Sequence, residues 1–272
     1  MKSLLLHLGN EKRKNIGFRV ACSLARRFGA HVLGYYSVPV QDYSGLAMGQ
    51  APIALLDSIR NQALEGAERH VAWFEHACQV EGLMAEHRIG EGDPVSLLMA
   101  VSRTADLAIV HQDDPASPSP ANIAAVSREL VLNAACPVLL LPYAGKFDDV
   151  GNHILIAWNN SREASRAMRD ALPILKQAEK VTILTVNPPR DESVAAADVA
   201  QYLARHDVNA IASQTATRDI DISSVLVSAI SDYDADLLVM GAWGRSRTRE
   251  LVFGGATRGV LDQMTVPVFM SH

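Results

Sequence analysis

The 272-residue chain is long enough for one large domain or two ordinary ones, and 49% hydrophobic with 20% charged residues is typical of globular proteins. Its net charge of −5 comes without a basic run, which argues against nucleic acid as a partner. No apolar run reaches the length of a membrane span, so we expect no membrane association.

The first residues and the cysteines both indicate a cytoplasmic location. Met1–Leu8 is an apolar run with one positive charge, but the polar segment 9–14 follows it without the small residues of a cleavage site. We therefore expect a buried strand there rather than a signal peptide. Cys22, Cys78 and Cys136 are odd in number and match no metal-binding spacing, which predicts reduced, buried thiols.

The chain contains two copies of one pattern. The apolar run Leu4–Leu8 corresponds to Ile154–Trp158, a shift of 150 positions. The second apolar run, His31–Tyr36, corresponds to Val181–Val186 with the same shift. A constant shift over two separate runs is the signature of an internal duplication.

Farther along the chain the shift becomes 130, and it stays constant again. Ala105–Val110 corresponds to Ala235–Met240, and Cys136–Leu141 corresponds to Val266–Met270. The first copy therefore carries 20 additional residues, which is the drop from 150 to 130. We assign them to the Gly-, Pro- and Tyr-containing segment 39–52 and to a longer helix after it.

Each copy is predicted to alternate strands with helices. The second copy has predicted strands at 153–158, 180–186, 208–215, 236–241 and 266–270 and predicted helices at 161–177, 221–233 and 257–264. Asn160 is the expected N-cap of the first of these helices, with Glu163 completing a capping box. Short apolar strands without alternation are typical of a parallel sheet covered on both faces.

The predicted fold class is α/β, with two tandem flavodoxin-like (Rossmann-like) domains, each a five-stranded parallel sheet with helices on both faces. We place the domains at 1–143 and 152–272, joined by a linker at 143–152 whose Gly, Lys and Asp residues interrupt the apolar pattern.

A glycine-rich segment follows the fourth strand of the second copy. Gly241 and Gly244 are separated by two residues, and nine residues then precede Gly254 and Gly255, which open a helix. Glycines let backbone N–H groups approach phosphate oxygens, and a helix N-terminus attracts anions. The segment therefore predicts a polyphosphate site, although the same glycines could simply form turns.

This spacing closely resembles the nucleotide-binding signature of the universal stress protein family, Gly-x2-Gly-x9-Gly-Ser/Thr. Both halves also resemble the five-stranded domain of that family, each with a Pro-Val pair in its last strand. The resemblance implies ATP binding in one subgroup and pairing of two domains through their last strands, here 136–141 and 266–270. Two positions depart from the family: Gly255 replaces a Ser or Thr, and Asn159 replaces an Asp.

The resemblance implies a nucleotide site made from the ends of the first, second and fourth strands and from the loop and helix that follow the fourth. The implied cofactor-binding residues are Ala157, Trp158, Asn159, Val186, Met240, Gly241, Gly244, Arg245, Gly254, Gly255, Ala256 and Thr257. Trp243 lies inside the loop and either covers the ligand or packs against the other domain.

The first copy lacks every glycine of this segment. His111, Asp114, Ala124 and Ala125 occupy the positions that correspond to Gly241, Gly244, Gly254 and Gly255. Acidic side chains repel phosphate and prolines remove N–H donors, so we expect no ATP binding in this half.

The leading hypothesis is a stress-response regulatory protein that binds ATP, with or without Mg²⁺, in its C-terminal domain and has little or no catalytic activity. No catalytic residue and no metal site are predicted, because the histidines are scattered and no nucleophile motif occurs. An unknown protein partner and a homodimer are both compatible with the sequence. The alternative is a nucleotide-independent module in which the 39–52 segment contacts a protein or an apolar ligand.

Overall fold

The structure is a computed structural model that describes residues 1–9, 13–38, 53–112, 123–188, 195–242 and 255–272, with the backbone alone at 53–56 and 123–125. The predicted insertion 39–52 lies outside these residues. No helix in the described part of the chain is both long and apolar enough to cross a membrane.

The described residues form two successive sets of strands and helices. The strands are β1 (Ser3–His7), β2 (His31–Val38), β3 (Ala85–Glu91), β4 (Leu107–His111), β5 (Val138–Leu141), β6 (His153–Ala157), β7 (Lys180–Val186), β8 (Ala210–Thr215), β9 (Leu237–Gly241) and β10 (Val268–Ser271). The helices are α1 (Lys14–Phe28), α2 (Ile53–Glu81), α3 (Pro94–Ser102), α4 (Ile123–Asn133), α5 (Arg162–Asp170), α6 (Leu172–Leu175), α7 (Ala196–Ala204), α8 (Ile222–Asp232) and α9 (Ala256–Gln263).

The strands form one sheet in the order β3-β2-β1-β4-β5-β10-β9-β6-β7-β8. Within each half the order is third, second, first, fourth, fifth, and the strand pairs within each half are parallel. The predicted α/β fold class with two Rossmann-like units is confirmed, and this strand order is the Rossmann one. The boundaries proposed for the two domains stay a prediction.

The two halves join through their last strands. β5 and β10 pair in antiparallel fashion, with Val138 opposite Met270 and Leu140 opposite Val268. This is the pairing that the sequence predicted. The side chain of Gln112 adds a contact between the halves, since its amide donates to the carbonyl oxygen of Leu261.

Side chains from both halves form a continuous core on each face of the sheet. Leu4 and Phe269 belong to one buried cluster, whereas their neighbours Leu5 and Met270 belong to the other. This alternation follows from the period of two in an extended strand. Because both clusters run across β5 and β10, the two halves share apolar packing as well as backbone hydrogen bonds.

The duplication extends to a polar contact at the start of each half. The Asp106 carboxylate accepts hydrogen bonds from the N–H groups of Lys2 and Ser3, and the first of these holds the pKa of Asp106 below its usual range. Asp236, its counterpart in the second copy, accepts from the N–H groups of Gly151, Asn152 and His153. Both carboxylates satisfy backbone donors that precede the first strand of their half.

The helices show where the sequence interpretation was right and where it was wrong. The longer helix predicted in the first copy is α2, with 29 residues against nine in its counterpart α7. The single helix predicted at 161–177 is instead two helices, α5 and α6, which meet at Ala171. Pro173 lies in the first turn of α6, where a proline is tolerated, whereas the interior of a longer helix would lose a hydrogen bond there.

We expect Asp236→Ala to lower the free energy of unfolding by about 1–3 kcal/mol, because it leaves buried N–H donors without an acceptor. Urea denaturation of the full chain measures this loss. The matched control is Asp232→Ala on the exposed face of α8, which should change stability by less than about 0.5 kcal/mol. Equal effects of the two substitutions would contradict this role for Asp236.

Candidate nucleotide site

The predicted site lies where the strand order of the C-terminal half reverses. After β6 the chain proceeds outward to β7 and β8, and it then returns to the other side of β6 to form β9. Ligands in open parallel sheets bind at the carboxyl ends of the strands at such a point. The register places Ala157 at the end of β6 directly beside Met240 on β9, so these two predicted residues lie together at this crevice.

Gly241, the last residue of β9, is packed against the start of α5. A Cβ atom at this position would lie 2.4 Å from the backbone nitrogen of Ala164 and 2.5 Å from the carbonyl carbon of Glu163. Only glycine therefore fits between β9 and α5 in this arrangement. The glycine predicted to approach phosphate has a structural reason to be glycine that is independent of any ligand.

The turn from β6 into α5 differs from the sequence prediction. Ser161, not Asn160, is the N-cap of α5, and its hydroxyl accepts a hydrogen bond from the N–H of Ala164 at 3.1 Å. Asn160 has a φ of 58°, which belongs to the left-handed region that asparagine tolerates in turns. The exposed Asn159 accepts from the N–H of Ser161 at 3.1 Å, so its side-chain oxygen already stabilises this turn.

Glu163 is a buried carboxylate that the sequence analysis assigned only to a capping box. Its side chain is 8% exposed, and it lies 3.3 Å from the guanidinium of Arg162, which is 85% exposed. The backbone and Cβ of Glu163 pack against Gly241 at the end of β9. The sequence offered no signal for this burial, since it depends on the contact between α5 and β9.

The remaining strand-end residues differ in accessibility. Trp158 is buried in the core, and its backbone N–H donates to the carbonyl of Leu184. Met240 is buried on the other face of the sheet. Ala157 and Val186 are partly exposed at the ends of β6 and β7.

Helix α9 begins at the end of the glycine-rich segment. Gly255 is its N-cap and provides no side-chain hydrogen bond, while Ala256 is partly exposed and Thr257 is buried in the first turn. Arg258 faces solvent, where it pairs with Asp262 one turn later at 3.6 Å. Gly244, Arg245 and Gly254, together with Trp243, lie outside the described residues.

The same edge of the N-terminal half is built from buried histidines. His7 ends β1 and His111 ends β4, at the positions of Ala157 and Gly241, and they are only 3% and 2% exposed. Burial lowers the pKa of His7 to about 4. Burial, together with the positive charge of Arg13 and the neighbouring His7, lowers the pKa of His111 to about 3. Both imidazoles are therefore neutral near pH 7.

Gly17 on α1 makes room for the imidazole of His111. A Cβ atom at Gly17 would lie 2.5 Å from Nε2 of His111. In the N-terminal half the large residue, His111, is on the strand and the glycine, Gly17, is on the helix. In the C-terminal half the glycine, Gly241, is on the strand. The end of the fourth strand is therefore packed against the first helix of its half in both copies, by the His111 imidazole in one and by the Gly241 backbone in the other.

Neither a metal cluster nor a disulfide occurs in the described part of the chain. No group of three His, Cys, Asp or Glu side chains is arranged to hold a metal ion among these residues. All three cysteines are free, and burial raises the pKa of Cys78 to about 11 and that of Cys136 to about 12. The thiols of Cys78 and Cys136 are therefore protonated near neutral pH. Cys22 and Cys78 are buried as predicted, whereas Cys136 is partly exposed.

The comparisons with known proteins agree with this architecture. The family model of the universal stress protein family matches residues 152–272. A universal stress protein from Archaeoglobus fulgidus DSM 4304 has a TM-score of 0.73 at 15% identity and covers 99% of this chain and 97% of its own. A candidate universal stress protein from Pseudomonas aeruginosa UCBPP-PA14 has a TM-score of 0.61 at 17% identity, covering 100% and 93%. At such identities the likeness shows the fold alone.

A further structure is that of the universal stress protein from Archaeoglobus fulgidus in complex with dAMP. It covers 52% of this chain and 97% of its own, at 16% identity and a TM-score of 0.37, which is too low for a comparison of sites. No curated protein sequence matches the chain.

Fold and strand order define a protein of two Rossmann-like units joined in one sheet, with the crevice of each unit at its carboxyl edge. Residues 152–272 match the universal stress protein family, and solved structures of that family share the fold of the whole chain. The resemblance predicted from the sequence is thereby confirmed.

We expect Gly241→Ala to destabilise the protein by about 3 kcal/mol even without nucleotide, because its Cβ would overlap the backbone of α5. Thermal unfolding of the nucleotide-free protein measures this effect. Gly66→Ala in α2 is the control, since the nearest atom to a Cβ there is 3.8 Å away on the flexible Arg69 side chain. That substitution should stabilise the helix by about 0.5–1 kcal/mol.

We expect the free energy of unfolding to fall as the pH drops below about 6.5, the pKa of an unfolded histidine. The pKa values of His7 and His111 in the folded state are lower, so the unfolded chain binds more protons between pH 6.5 and about 4. Each histidine then costs about 2 kcal/mol of stability at pH 5.

Urea denaturation at pH 7 and pH 5, in buffer without phosphate, measures this dependence. His7→Asn and His111→Asn should each reduce the loss between the two pH values by about 2 kcal/mol. His76→Asn on the exposed face of α2 should leave the loss unchanged. An unchanged loss in all three variants would show that other groups cause the acid sensitivity.

Proposed function

We propose that this protein is a stress-response regulatory protein that binds an adenine nucleotide, ATP, at the crevice of its C-terminal half and has little or no catalytic activity. The observation that carries this proposal is the pairing of β6 with β9 at the strand-order reversal, where β9 ends in Gly241. The family of the chain and the spacing of Gly241, Gly244 and Gly254 support the same assignment.

The described residues fit a nucleotide in part. The partly exposed residues Ala157 and Val186 suit the base and ribose, and the N-terminus of α9 suits phosphate because its N-cap, Gly255, has no side chain to occupy the N–H groups. Because Gly241 packs against α5, we assign the phosphate contacts to the glycines that follow it in the segment, Gly244, Gly254 and Gly255, and to the start of α9.

The charge of Glu163 bears on the form of the nucleotide. A buried carboxylate beside Gly241 repels a polyphosphate, and a divalent cation reduces that repulsion. We therefore expect ATP to bind more tightly with Mg²⁺ than without it. Mg²⁺ would supply charge neutralisation in this complex.

Isothermal titration of the full chain, stripped of bound nucleotide, with ATP tests the proposal. We expect saturable binding at or below about 1 mM, and a loss of at least about tenfold in Gly244→Val and Gly254→Val, because a side chain there blocks close approach of phosphate. Ala124→Val, the counterpart of Gly254→Val in the first copy, is the matched control and should leave binding unchanged.

Absence of binding at millimolar ATP, or equal affinity of all three variants, would overturn the proposal in favour of a nucleotide-independent module. Gly241→Val is unsuited to this test. Its side chain would collide with α5 and lower stability whether or not nucleotide binds there.

The Mg²⁺ dependence is tested with Glu163→Gln, which should narrow the difference between the affinities measured with and without Mg²⁺.

A further inference from the structure

The two outer strands of the sheet differ in how they are protected from pairing with another chain. The strand order leaves β3 and β8 at the edges. β3 carries the charged residues Glu86, Arg88 and Glu91, whereas β8, with the sequence AIASQT, has neither a charged residue nor a proline. Charges and prolines are common means by which edge strands avoid pairing with other chains. β8 therefore lacks a protection that β3 has.

The backbone of β8 offers hydrogen-bonding groups on its outer side. The N–H of Asn187 donates to the carbonyl oxygen of Thr215 at 2.8 Å, so the polar backbone groups of Thr215 point toward β7. These groups point in alternate directions along a strand, and those of Ala210, Ala212 and Gln214 therefore point away from β7. No described strand pairs with this side of β8. It thus presents donors and acceptors to a further strand.

Exposed apolar side chains lie in the same segment. Ile211 is 60% exposed, Ile220 60% and Ile222 42%. They are the exposed large hydrophobic residues in the described part of the C-terminal half, and they fall within β8, the turn after it and the first residue of α8. Ile211 lies on the α8 face of the sheet, because the hydroxyl of Ser213, two residues on, lies 2.6 Å from that of Tyr233 at the end of α8. Exposed apolar residues concentrated in this way are typical of an interaction surface.

The strand is complementary to itself when two copies run antiparallel. With Ala212 of one copy opposite Ala212 of the other, Ala210 lies opposite Gln214, so the outward N–H and C=O groups of each copy meet those of the other. Ile211 then lies opposite Ser213 on the α8 face of the joined sheet, where directly opposite side chains contact each other. The second copy therefore covers part of an apolar side chain that is exposed in the single chain.

The charges that flank β8 favour the antiparallel arrangement. Arg205 and Asp207 precede the strand, and both are exposed. Arg218 and Asp219 follow it, and both are exposed as well. Antiparallel pairing brings Asp207 of one copy toward Arg218 of the other, and it likewise brings opposite charges together at Arg205 and Asp219. Parallel pairing would instead bring like charges together. Asp207 is accessible to a second copy, since its side chain is 92% exposed and its contact with Lys176 is long, at 4.0 Å.

The sheet already contains a junction of this kind. β5 and β10 are edge strands of their own halves, and they pair in antiparallel fashion. Each of them has four residues, whereas β8 has six. Because this junction occupies the inner edge of each half, two chains that associate through the sheet have to use β3 or β8. The charges on β3 leave β8 as the edge that is suited to pairing.

We propose that β8 is a self-association edge through which two copies of this chain pair in antiparallel fashion, forming a homodimer with one continuous sheet. The pairing is two-fold symmetric and uses the β8 edge of both copies, so it ends at the dimer. A short strand and few side chains bury less surface than a standard interface, and we expect a dissociation constant of about 1–100 μM. The dimer does not depend on whether ATP binds.

Sedimentation velocity of the nucleotide-free full chain at concentrations from about 1 to 200 μM tests the proposal. We expect a monomer at the lowest concentration and a dimer at the highest. A monomer throughout would overturn the assignment of a second copy to this edge. Assemblies larger than a dimer would also overturn it, since the two-fold pairing leaves no β8 edge exposed.

A backbone variant assigns the interface to β8. Ala212→Pro removes the outward N–H at the centre of the strand and no hydrogen bond to β7, and a proline is tolerated at such a position on an edge strand. We expect the dissociation constant to rise by at least about tenfold. Ala212→Ser keeps the N–H and is the matched control, which should leave the constant unchanged. A dimer that is as stable in Ala212→Pro as in Ala212→Ser would overturn the proposal.

A charge exchange tests the orientation without touching the backbone of β8. Arg205→Asp places like charges together at each end of the pairing and should weaken the dimer by about threefold to tenfold, as expected for exposed ion pairs that occur twice. Adding Asp219→Arg restores opposite charges and should recover the original affinity. Both residues are exposed, so neither change alters the core. Equal affinity of the single and the double variant would contradict the antiparallel pairing and overturn the proposal.

Discussion

The antiparallel pairing of β5 with β10 is the contact on which the rest of the structure depends. Each half is parallel within itself and therefore has one carboxyl edge. Because the two halves run in opposite directions across this pair, their carboxyl edges lie on opposite sides of the ten-stranded sheet. A ligand on one edge does not contact a ligand on the other. Any coupling between the two edges has to pass through the shared sheet and its two cores.

The duplicated halves keep the contacts that build the sheet and differ in those at its carboxyl edges. Asp106 and Asp236 perform the same task in both copies, since each accepts hydrogen bonds from the backbone that leads into the first strand. At the carboxyl edge of the N-terminal half, His111 occupies the position that corresponds to Gly241, and Gly17 on α1 makes room for its imidazole. The two strand–helix contacts are not equivalent, since Gly17 corresponds to Ala167, whereas Gly241 packs against Glu163 and Ala164.

Most of the fold could be predicted because the same pattern of apolar strands occurs twice along the sequence. Two constant shifts aligned the strands of the copies, and the apolar runs fixed their order along the chain. The sequence could not show that Ser161 rather than Asn160 caps α5, since both are good N-cap residues and adjacent. Nor could it separate α5 from α6, because helical periodicity continues across the junction at Ala171.

The candidate site was less predictable, because the roles of its residues depend on neighbours that are distant in sequence. Gly241 matches the expected glycine spacing, yet its contact with the backbone of Glu163 and Ala164 explains the glycine without a ligand. The buried charge of Glu163 and the unsatisfied nitrogen of His111 also arise only when helix and strand meet. The spacing predicted a site at this edge, which stays a prediction, whereas the packing roles of Gly241, Glu163 and His111 required the structure.

The two copies differ in charge at one position beside their first helices. Arg13 and Glu163 occupy corresponding positions, since the shift of 150 relates them, and their side chains are of opposite charge type. Each is placed by its own surroundings: Arg13 donates to the carbonyl oxygens of Pro142 and Gly145, whereas Glu163 is buried and lies beside Arg162. The two copies therefore share the architecture of the sheet and differ in the polar contacts at the start of the first helix.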